Sequence, residues 1–373
     1  MAEGQARSGI DRWEFYGGEA ADGLTEYWYP VMPSRALKRN KPVRRKLLGR
    51  NLVLVRDQGR AYALDDRCPH REVPLSMGSC EFAGHITCVY HGWTFDLASG
   101  VLKAALTDGP NSPIAGKAKV RTHPVEERAG MVFAWMGEAK PAPIEDELPE
   151  ELLRPDARAY WLMRESKGNW RYASENGFDE AHNKMLHRSS PWVLFRRIPA
   201  WNETEIIKTE DRKWIARRQR EMHMSDQYPG LGRWPRFNFW QRRSRTVLAS
   251  NAHTVSMRLP CLLRVIQPGR GTWTHFNWYM PVQRDTYRDV VAQVRWVNGW
   301  WGRFTWWLRH KTYIWVFHRH HFLTQDMAAI AAMPDTHPER FFRPDISITA
   351  WRRLVEDEAR RPPPRTAPSV AAE

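Results

Sequence analysis

The stretch DDRCPHREVPLSMGSCEFAGHITCVYHGWTF (residues 65–95) decides how the first half of this chain folds, because it sets three of the four cysteines among histidines. Cys68 and His70 form a C-x-H pair, and after seventeen intervening residues Cys88 and His91 form a C-x-x-H pair. Cysteine and histidine are ligands of zinc and of iron–sulfur clusters. Two mixed pairs at this spacing therefore predict a metal site built on two loops.

The composition of the two pairs favours an iron–sulfur cluster over zinc. Zinc fingers usually place their cysteines in one pair and their histidines in another, whereas here each pair contains one of each. Loops of this pattern present two thiolates to one iron and two imidazoles to the other, which is the ligand set of a Rieske [2Fe–2S] cluster. Zinc stays the alternative, and Cys80, His85 and Cys261 are expected to be structural.

Length and composition limit the class of protein. The chain has 373 residues, a length sufficient for two folded domains with a substantial core. Twenty of these residues are tryptophan. The N-terminal residues lack the apolar segment of a signal peptide, and no apolar run reaches membrane-spanning length. Cysteines at ligand spacing indicate a reducing compartment. We therefore expect a cytoplasmic protein without a membrane span.

The formal net charge of +15 indicates an anionic partner. The basic residues are scattered in small groups such as KRNKPVRRK, RRQR and QRRSR instead of forming one nucleic-acid-binding motif. Nucleic-acid binding is therefore disfavoured, and an acidic redox protein fits the charge better.

Changes in composition divide the chain into segments. Residues 27–138 contain short apolar runs separated by Gly, Asp and Pro, which predicts a β-rich domain carrying the metal loops. Residues 139–158 are rich in proline and acid and predict a linker, and residues 159–356 predict a second domain. We expect residues 1–26 to pack on that second domain as an N-terminal extension, and residues 357–373 to form a flexible tail.

The second domain has a mixed pattern. A strand-like segment, WLMRESKGNWRY, leads into a helix that Ser174 is expected to cap, with Glu175 in its first turn. Residues 200–290 alternate as strands do, and residues 285–332 have helical spacing.

A second group of metal-type side chains lies in the segment SENGFDEAHNKMLH, which offers Glu175, Asp179, His182 and His187. Two histidines and one carboxylate on one face of an Fe(II) ion leave the opposite face open for O₂ and substrate. Surface histidines of a polar helix are the alternative, but an electron-supplying cluster upstream favours iron. Residues five apart diverge by about 140° on a regular helix, so we predict a bulge or break between His182 and His187.

Together these motifs resemble a known family. C-x-H-x17-C-x-x-H followed by NGFDEAHNKMLH is similar to the α subunit of Rieske non-haem iron ring-hydroxylating oxygenases, and the resemblance spans nearly the whole chain. WYPVMPSRAL, ITCVYHGWTFDLASGVL and ITAWRRL are most similar to members that form homotrimers of one kind of subunit. The resemblance implies an α+β protein with an N-terminal β-rich Rieske [2Fe–2S] domain. It also implies a C-terminal helix-grip-like catalytic domain, in which helices cover an antiparallel sheet.

The resemblance also implies a role for each residue of both groups. The cluster irons are expected to be bound by Cys68, His70, Cys88 and His91, and the mononuclear iron by His182, His187 and Asp326. Asp179 matches an acid that accepts hydrogen bonds from an iron-binding histidine and from a cluster histidine of the neighbouring subunit. In a head-to-tail trimer this acid would be the catalytic electron bridge from one subunit to the next.

The activity implied by the resemblance is that of a terminal oxygenase. Electrons would come from NAD(P)H through a reductase and a small acidic ferredoxin, and O₂ would be used to dihydroxylate a polycyclic or heterocyclic aromatic compound, including by angular attack. The nearest alternative is a Rieske monooxygenase that hydroxylates a steroid-like ring or removes an O- or N-methyl group. An electron carrier that uses only the cluster and a nucleic-acid-binding module are further alternatives.

The tryptophan-rich segment 296–322 has two interpretations. It is either a helix at a membrane surface, where tryptophan and arginine are both frequent, or a helix that packs in the core and lines a substrate pocket. Trp296, Trp300, Phe304 and Trp307 recur at helical spacing, but other tryptophans fall off their face. We therefore expect core packing, with His318, His320 and His321 as non-ligands.

Overall fold

The computed structural model describes residues 13–187, 200–209, 214–225, 227–233, 245–248, 254–267, 273–317, 323–334 and 339–362. The described residues form two compact units. The C-terminal unit contains residues 13–23, which include α1 (Glu14–Gly17), together with residues 154–359. The N-terminal unit contains residues 24–153 together with residues 360–362.

The N-terminal unit is built of three small antiparallel sheets. Its strands are β1 (Trp28–Pro33), β2 (Val43–Leu47), β3 (Arg50–Asp57), β4 (Arg60–Asp65), β5 (His85–Thr87), β6 (Trp93–Asp96), β7 (Leu102–Ala105), β8 (Thr122–His123), β9 (Val125–Arg128) and β10 (Met131–Trp135). They are ordered β1-β10-β9, β2-β3-β4-β8 and β5-β6-β7. The β-rich domain expected from the punctuated apolar runs is therefore confirmed.

The core of this unit lies directly beneath the predicted metal loops. Val53 and Val55 of β3 are fully buried in the same apolar cluster as Phe95 of β6, and Leu52 and Leu54 between them are buried as well. Cys68 and Cys88 are buried in the same apolar cluster. The chain leaves the unit through two short helices, α2 (Ile144–Glu147) and α3 (Glu150–Leu153), which occupy the segment expected to be a linker.

The C-terminal unit is organised around one large antiparallel sheet. Its long strands are β11 (Ala157–Lys167), β12 (Ala200–Lys208), β13 (Ile215–Met224), β16 (Arg245–Leu248), β17 (Thr254–Arg258), β18 (Leu262–Gln267), β19 (Trp273–Gln283) and β20 (Thr286–Trp296). They are ordered β11-β20-β19-β18-β17-β13-β12, and β16 also pairs with β13. A separate hairpin consists of β14 (Gln227–Tyr228) and β15 (Gly232–Arg233).

Helices of the same unit cover this sheet. They are α4 (Trp170–Phe178), α5 (His182–Met185), α6 (Gly299–Arg309), α7 (Trp315–Phe317), α8 (Leu323–Ala331) and α9 (Ile346–Glu358). The α4 helix contacts β17, β18, β19 and β20, and it is packed against α8 and α9. This arrangement confirms the expected α+β fold, with an antiparallel sheet covered by helices.

The start of α4 differs from the sequence-based prediction. Asn169, not Ser174, caps this helix, and its side chain accepts a hydrogen bond from the backbone N–H of Arg171 at 2.9 Å. Ser174 is a buried residue in the middle of the helix. The prediction of an extended GNWRY segment was wrong. The strand ends just before Gly168, which has a positive φ, and the Asn169 side chain then accepts a hydrogen bond from a backbone N–H of the first helical turn.

The helical prediction for residues 285–332 was wrong over its first part. Residues 286–296 form β20, which is hydrogen-bonded along its length to both β11 and β19. Its run of valines suits a strand buried on both faces. Helical structure begins only at Gly299, three residues after the strand ends.

The tryptophan-rich helix also packs differently from the prediction. Within α6 only Trp306 is fully buried, and it contacts Trp273 and Ile314. Trp300, Phe304 and Trp307, which were expected to pack in the core, are exposed. His318, His320 and His321 lie outside the described residues. Within the described part of the chain, no helix is both long and apolar enough to cross a membrane.

Candidate metal centres

Two loops of the N-terminal unit share one backbone hydrogen-bond pattern. The N–H of Cys68 donates to the carbonyl oxygen of Val73 at 2.9 Å, five residues later. The N–H of Cys88 donates in the same way to Trp93 at 2.8 Å. Each cysteine is therefore the first residue of a six-residue loop closed by a backbone hydrogen bond. The histidine is the second residue after Cys68 and the third after Cys88.

The fourth residue after each cysteine completes this pattern. The backbone N–H of Glu72 donates to Cys68 at 2.8 Å, and that of Gly92 donates to Cys88 at 3.1 Å. Both residues have φ of 64°, which glycine adopts without a steric penalty and glutamate does not. A Cβ at Gly92 would also lie 2.8 Å from the Cβ of Leu106, so the second loop has no room for a side chain there.

The loops bring the four predicted cluster ligands together. Cys68 and Cys88 are 2% and 3% exposed, whereas His70 is exposed and His91 half-buried. The rings of His70 and His91 lie 4.6 Å apart between centroids, and His70 stacks on Trp93 at 4.9 Å. The thiols thus lie on the inner side of the loops and the imidazoles on the solvent side.

This arrangement fits an iron–sulfur cluster. Burial, with the nearby Cys88, raises the pKa of the Cys68 thiol to about 11. Adjacent buried thiols become thiolates when a cation binds them. Cys80 belongs to the same core, but it lies outside the paired loops. Cys261 is buried in the other unit, so the expectation that both cysteines are structural agrees with their positions.

In the C-terminal unit, α4 is held by a buried ion pair. Arg352 of α9 donates from Nε and Nη2 to the two carboxylate oxygens of Glu175, both at 2.8 Å. Tyr16 donates its hydroxyl to the same carboxylate, and Glu339 pairs with the far side of Arg352. Burial alone would lower the pKa of Arg352, but Glu175 and Glu339 outweigh it and hold that pKa above its ordinary value. Glu175 is therefore a structural residue rather than a metal ligand.

Asp179 follows α4 and organises the start of α5. Its carboxylate accepts hydrogen bonds from the backbone N–H groups of Ala181 at 2.9 Å and of His182 at 3.0 Å. It also lies 3.2 Å from Nδ1 of the His182 ring. Burial alone would raise the pKa of Asp179, but these donors outweigh burial and lower it. Asp179 is thus a carboxylate that fixes the orientation of His182.

His182, His187 and Asp326 meet although Asp326 is 144 residues away from His182 in the sequence. One ligand atom from each of the three side chains lies within 4.8 Å of the other two. The α5 helix ends at Met185, between the two histidines, while Leu186 keeps right-handed helical angles. The bulge or break expected from the five-residue spacing stays a prediction, because helical angles continue through Leu186; the two rings lie 5.4 Å apart between centroids at 73°.

Hydrogen bonds to Nδ1 select which ring nitrogen points into the site. Nδ1 of His182 faces Asp179, and Nδ1 of His187 lies 2.8 Å from Oε1 of Gln325. The Nε2 atoms lie 3.6 Å and 3.2 Å from Oδ1 of Asp326. An acceptor at Nδ1 holds the proton there and leaves Nε2 as a lone-pair donor for a metal.

The donor set fits an Fe(II) ion. Oδ1 of Asp326 is buried and has no hydrogen-bond partner among the described residues. A buried oxygen of this kind is costly unless a cation or proton satisfies it. Two imidazole nitrogens and one carboxylate oxygen are the facial triad of non-haem iron enzymes. Gln325 was not identified from the sequence, because a glutamine beside a ligand has no characteristic spacing.

A polar patch of the sheet lies near this group. Asn277 donates to Oδ1 of the buried Asp289 at 2.9 Å, and burial raises the pKa of Asp289 to about 7. On the same strand as Asn277, Tyr279 approaches α4 at Gly177, where a Cβ would lie 2.0 Å from the tyrosine hydroxyl. Gly177 therefore allows α4 to lie close to the sheet, and the NGFD segment needs a glycine at that point.

Comparison with known proteins finds relatives of both units. Residues 27–115 match the family model of the Rieske [2Fe-2S] domain, and residues 135–200 and 238–361 match that of the homotrimeric ring hydroxylases. The terminal oxygenase component of carbazole 1,9a-dioxygenase from Metapseudomonas resinovorans is 31% identical over 284 residues, which are 72% of this chain and 72% of the relative.

Solved structures agree with these matches. The reduced complex between oxygenase and ferredoxin in carbazole 1,9a-dioxygenase has a TM-score of 0.76 at 28% identity, over 95% of this chain and 96% of that one. The terminal oxygenase of carbazole 1,9a-dioxygenase from Nocardioides aromaticivorans IC177 has a TM-score of 0.76 at 27% identity, over 94% of this chain and 99% of that one.

Proposed function

The chain belongs to the Rieske ring-hydroxylating oxygenases, as its motifs indicate, and from this premise we propose that it is the terminal oxygenase of a multi-component system. It is an oxidoreductase of the dioxygenase class, and its cofactors are a Rieske [2Fe–2S] cluster and a mononuclear iron. The proposed reaction is dihydroxylation, including angular attack, of a polycyclic or heterocyclic aromatic compound such as carbazole. The activity of its carbazole-oxidising relatives supports this substrate class.

We assign the cofactor ligands residue by residue. Cys68 and Cys88 hold one cluster iron, and His70 and His91 hold the other. The mononuclear iron is held by Nε2 of His182, Nε2 of His187 and the carboxylate of Asp326. When bound, the cluster supplies single electrons and the mononuclear iron supplies O₂ activation.

The protein's own residues prepare the iron site before substrate binds. Asp179 and Gln325 keep the two Nδ1 protons in place, so that both Nε2 atoms face Asp326. The His187 side chain is 1% exposed, which keeps water from competing for its Nδ1 proton. The Glu175–Arg352 pair holds α4 and therefore the position of Asp179 at its end.

The proposed partners follow from the same relatives. Complexes of carbazole 1,9a-dioxygenase oxygenase with ferredoxin support an acidic ferredoxin as electron donor, fed by an NAD(P)H reductase. The positive charge of this chain suits such a donor. We propose a homotrimer in which Asp179 connects His182 to a cluster histidine of the neighbouring subunit, as the catalytic electron bridge. Cysteines that serve as cluster ligands, with none of the four in a disulfide, support a cytoplasmic location.

The observation that carries the proposal is the meeting of His182, His187 and Asp326 around the unsatisfied Oδ1, in a chain that also has the paired Cys/His loops. The test is metal and sulfide analysis of the wild type and of Asp326→Ala. We expect three irons and two sulfides per wild-type chain, from the two cofactors. The variant should lose one iron and all product formation while it keeps the cluster's visible spectrum. An active Asp326→Ala variant would contradict the assignment and favour an electron carrier.

Isotope labelling distinguishes the two oxygenase reactions. With carbazole, ¹⁸O₂ and a surrogate ferredoxin chain, dioxygenation places two labelled oxygens in the product. One labelled oxygen would instead identify the enzyme as a monooxygenase that hydroxylates this substrate.

A further inference from the structure

The outward face of α6 consists of large apolar side chains. Trp300, Trp301, Phe304, Trp307 and Leu308 are 74%, 60%, 42%, 45% and 44% exposed. At about 100° per residue they span an arc of roughly 120° on the helix. The opposite arc packs on the protein's own core through Trp306. The helix is therefore apolar on both sides, and only its inner side is used by the fold.

The exposed rings form one continuous patch. Trp300 lies 5.2 Å from Trp301 between ring centroids, and Trp301 lies 5.7 Å from Phe304. Phe304 in turn lies 5.9 Å from Trp307. Contiguous apolar surface of this kind on a folded protein indicates an interaction site, whereas single exposed rings do not.

The charge of the segment that carries the patch has one sign. Residues 295–317 contain no aspartate or glutamate, but they contain Arg295, Arg303, Arg309 and Lys311. Arg303 and Lys311 are exposed beside the aromatic rings. A helix with an aromatic and aliphatic face flanked by arginine and lysine is the pattern of helices that lie in the plane of a lipid surface.

We propose that α6 is a membrane-surface helix that docks the oxygenase on anionic phospholipid, with Trp300, Trp301, Phe304, Trp307 and Leu308 inserted at the headgroup boundary. Local charge favours lipid over the same patch of a second copy, since residues 295–317 carry four basic residues and no acidic one. An anionic lipid surface both attracts the arginines and accepts the rings. The attachment is peripheral, because the described helices include none that could span a bilayer.

This proposal is independent of the identity of the substrate, but it has a consequence for any apolar one. Polycyclic aromatic compounds partition from water into lipid by the hydrophobic effect. An oxygenase held at that surface works where such a substrate is concentrated.

Vesicle co-sedimentation of the holoenzyme tests the proposal. The vesicles contain phosphatidylcholine with or without phosphatidylglycerol, and the variants are Trp300→Ser/Trp307→Ser and Arg303→Glu. Phe342→Ser is the matched control, because Phe342 is 63% exposed in the same unit but lies outside the patch. We expect binding to the anionic vesicles that weakens about tenfold for each ring removed. Arg303→Glu should also weaken it, and Phe342→Ser should leave it unchanged.

Each contrary outcome overturns the proposal. Absence of wild-type binding, equal binding to neutral vesicles, or equal loss in Phe342→Ser would do so. Light scattering supplies the remaining comparison: if Trp300→Ser/Trp307→Ser breaks the oligomer into single chains, the patch is a contact between copies instead. Product formation from substrate dissolved in buffer should be the same in all four proteins, since none of these residues lies at the iron site.

Discussion

Replacing Gln325 with leucine should weaken the binding of the mononuclear iron without affecting the cluster. Oε1 of Gln325 is the acceptor for Nδ1 of His187, at 2.8 Å, in a place where the histidine is almost fully buried. Leucine has a similar volume but no acceptor, so the Nδ1 proton loses its partner and the tautomer with a free Nε2 is no longer selected. Partners of this kind are typically worth about 10–100-fold in metal affinity, or roughly 1.4–2.8 kcal/mol.

The assay is competition for Fe(II) against a chromophoric chelator, with the visible spectrum of the cluster followed in the same sample. The Kd of Gln325→Leu should rise about 10–100-fold. Gln325→Glu keeps an acceptor oxygen and should retain most of the affinity. Thr324→Val, at an exposed neighbouring position, is the control for a general effect on α8 and should bind iron as the wild type does.

Two results would refute this reasoning. If Gln325→Leu binds iron like the wild type while Asp326→Ala does not, the orientation of His187 does not depend on Gln325. If Gln325→Glu is as weak as Gln325→Leu, then side-chain shape, and not the hydrogen bond, determines the affinity.

Three further predictions concern stability. Glu175→Gln should lower the free energy of unfolding by about 1–3 kcal/mol, because the buried Arg352 keeps Glu339 as a charged partner but loses Glu175. Glu175→Gln/Arg352→Met should lower it less, and a double variant worse than the single one in denaturant titrations would contradict this. Asp289→Asn should stabilise the iron-free protein. The pKa of Asp289 is about 7 in the folded protein and near 3.8 ordinarily, so the ionised carboxylate destabilises the folded state as pH rises, and asparagine removes this effect. That gain should be absent below pH 4 and reach at most about 4 kcal/mol above pH 7, and a gain independent of pH would disprove it. Gly92→Ala should lower the melting temperature more than Gly84→Ala, since both have positive φ but only Gly92 lacks space for a Cβ; equal shifts in thermal denaturation would count against the steric account.

The metal loops could be predicted from sequence because their information is local. Cys68, His70, Cys88 and His91 lie within 24 consecutive residues, and the hydrogen bonds that shape each loop span five residues or fewer. Residue type and spacing therefore determine the chemistry before any tertiary contact is known.

The iron site contained less local information. His182 and His187 were evident as a pair, and α5 ends between them, although helical angles continue through Leu186. Asp326 was chosen only by resemblance, since its distance along the chain follows no periodic rule. Gln325 and the partners of Glu175 were beyond sequence reasoning, because Tyr16, Glu339 and Arg352 come from separate segments that meet only through the sheet and helix packing.

The tryptophan-rich segment shows where periodicity gives the wrong answer. A hydrophobic pattern identifies the inner face of a helix when the outer face is polar. In α6 both faces are apolar, so the spacing of Trp300, Phe304 and Trp307 was read as the buried side. The structure reverses this, since the inner ring is Trp306.

The two cysteine loops have the same backbone hydrogen-bond pattern, so the cluster site consists of two structurally equivalent halves. The hydrogen bonds that close both loops join main-chain atoms, so a change of side chain does not remove these hydrogen bonds. The halves differ in two ways. The histidine is two residues after Cys68 but three after Cys88, and Glu72 occupies the position in the first loop that Gly92 occupies in the second. The hexapeptide of the second loop can thus replace that of the first, whereas the reverse exchange would put a glutamate at Gly92, where no side chain fits.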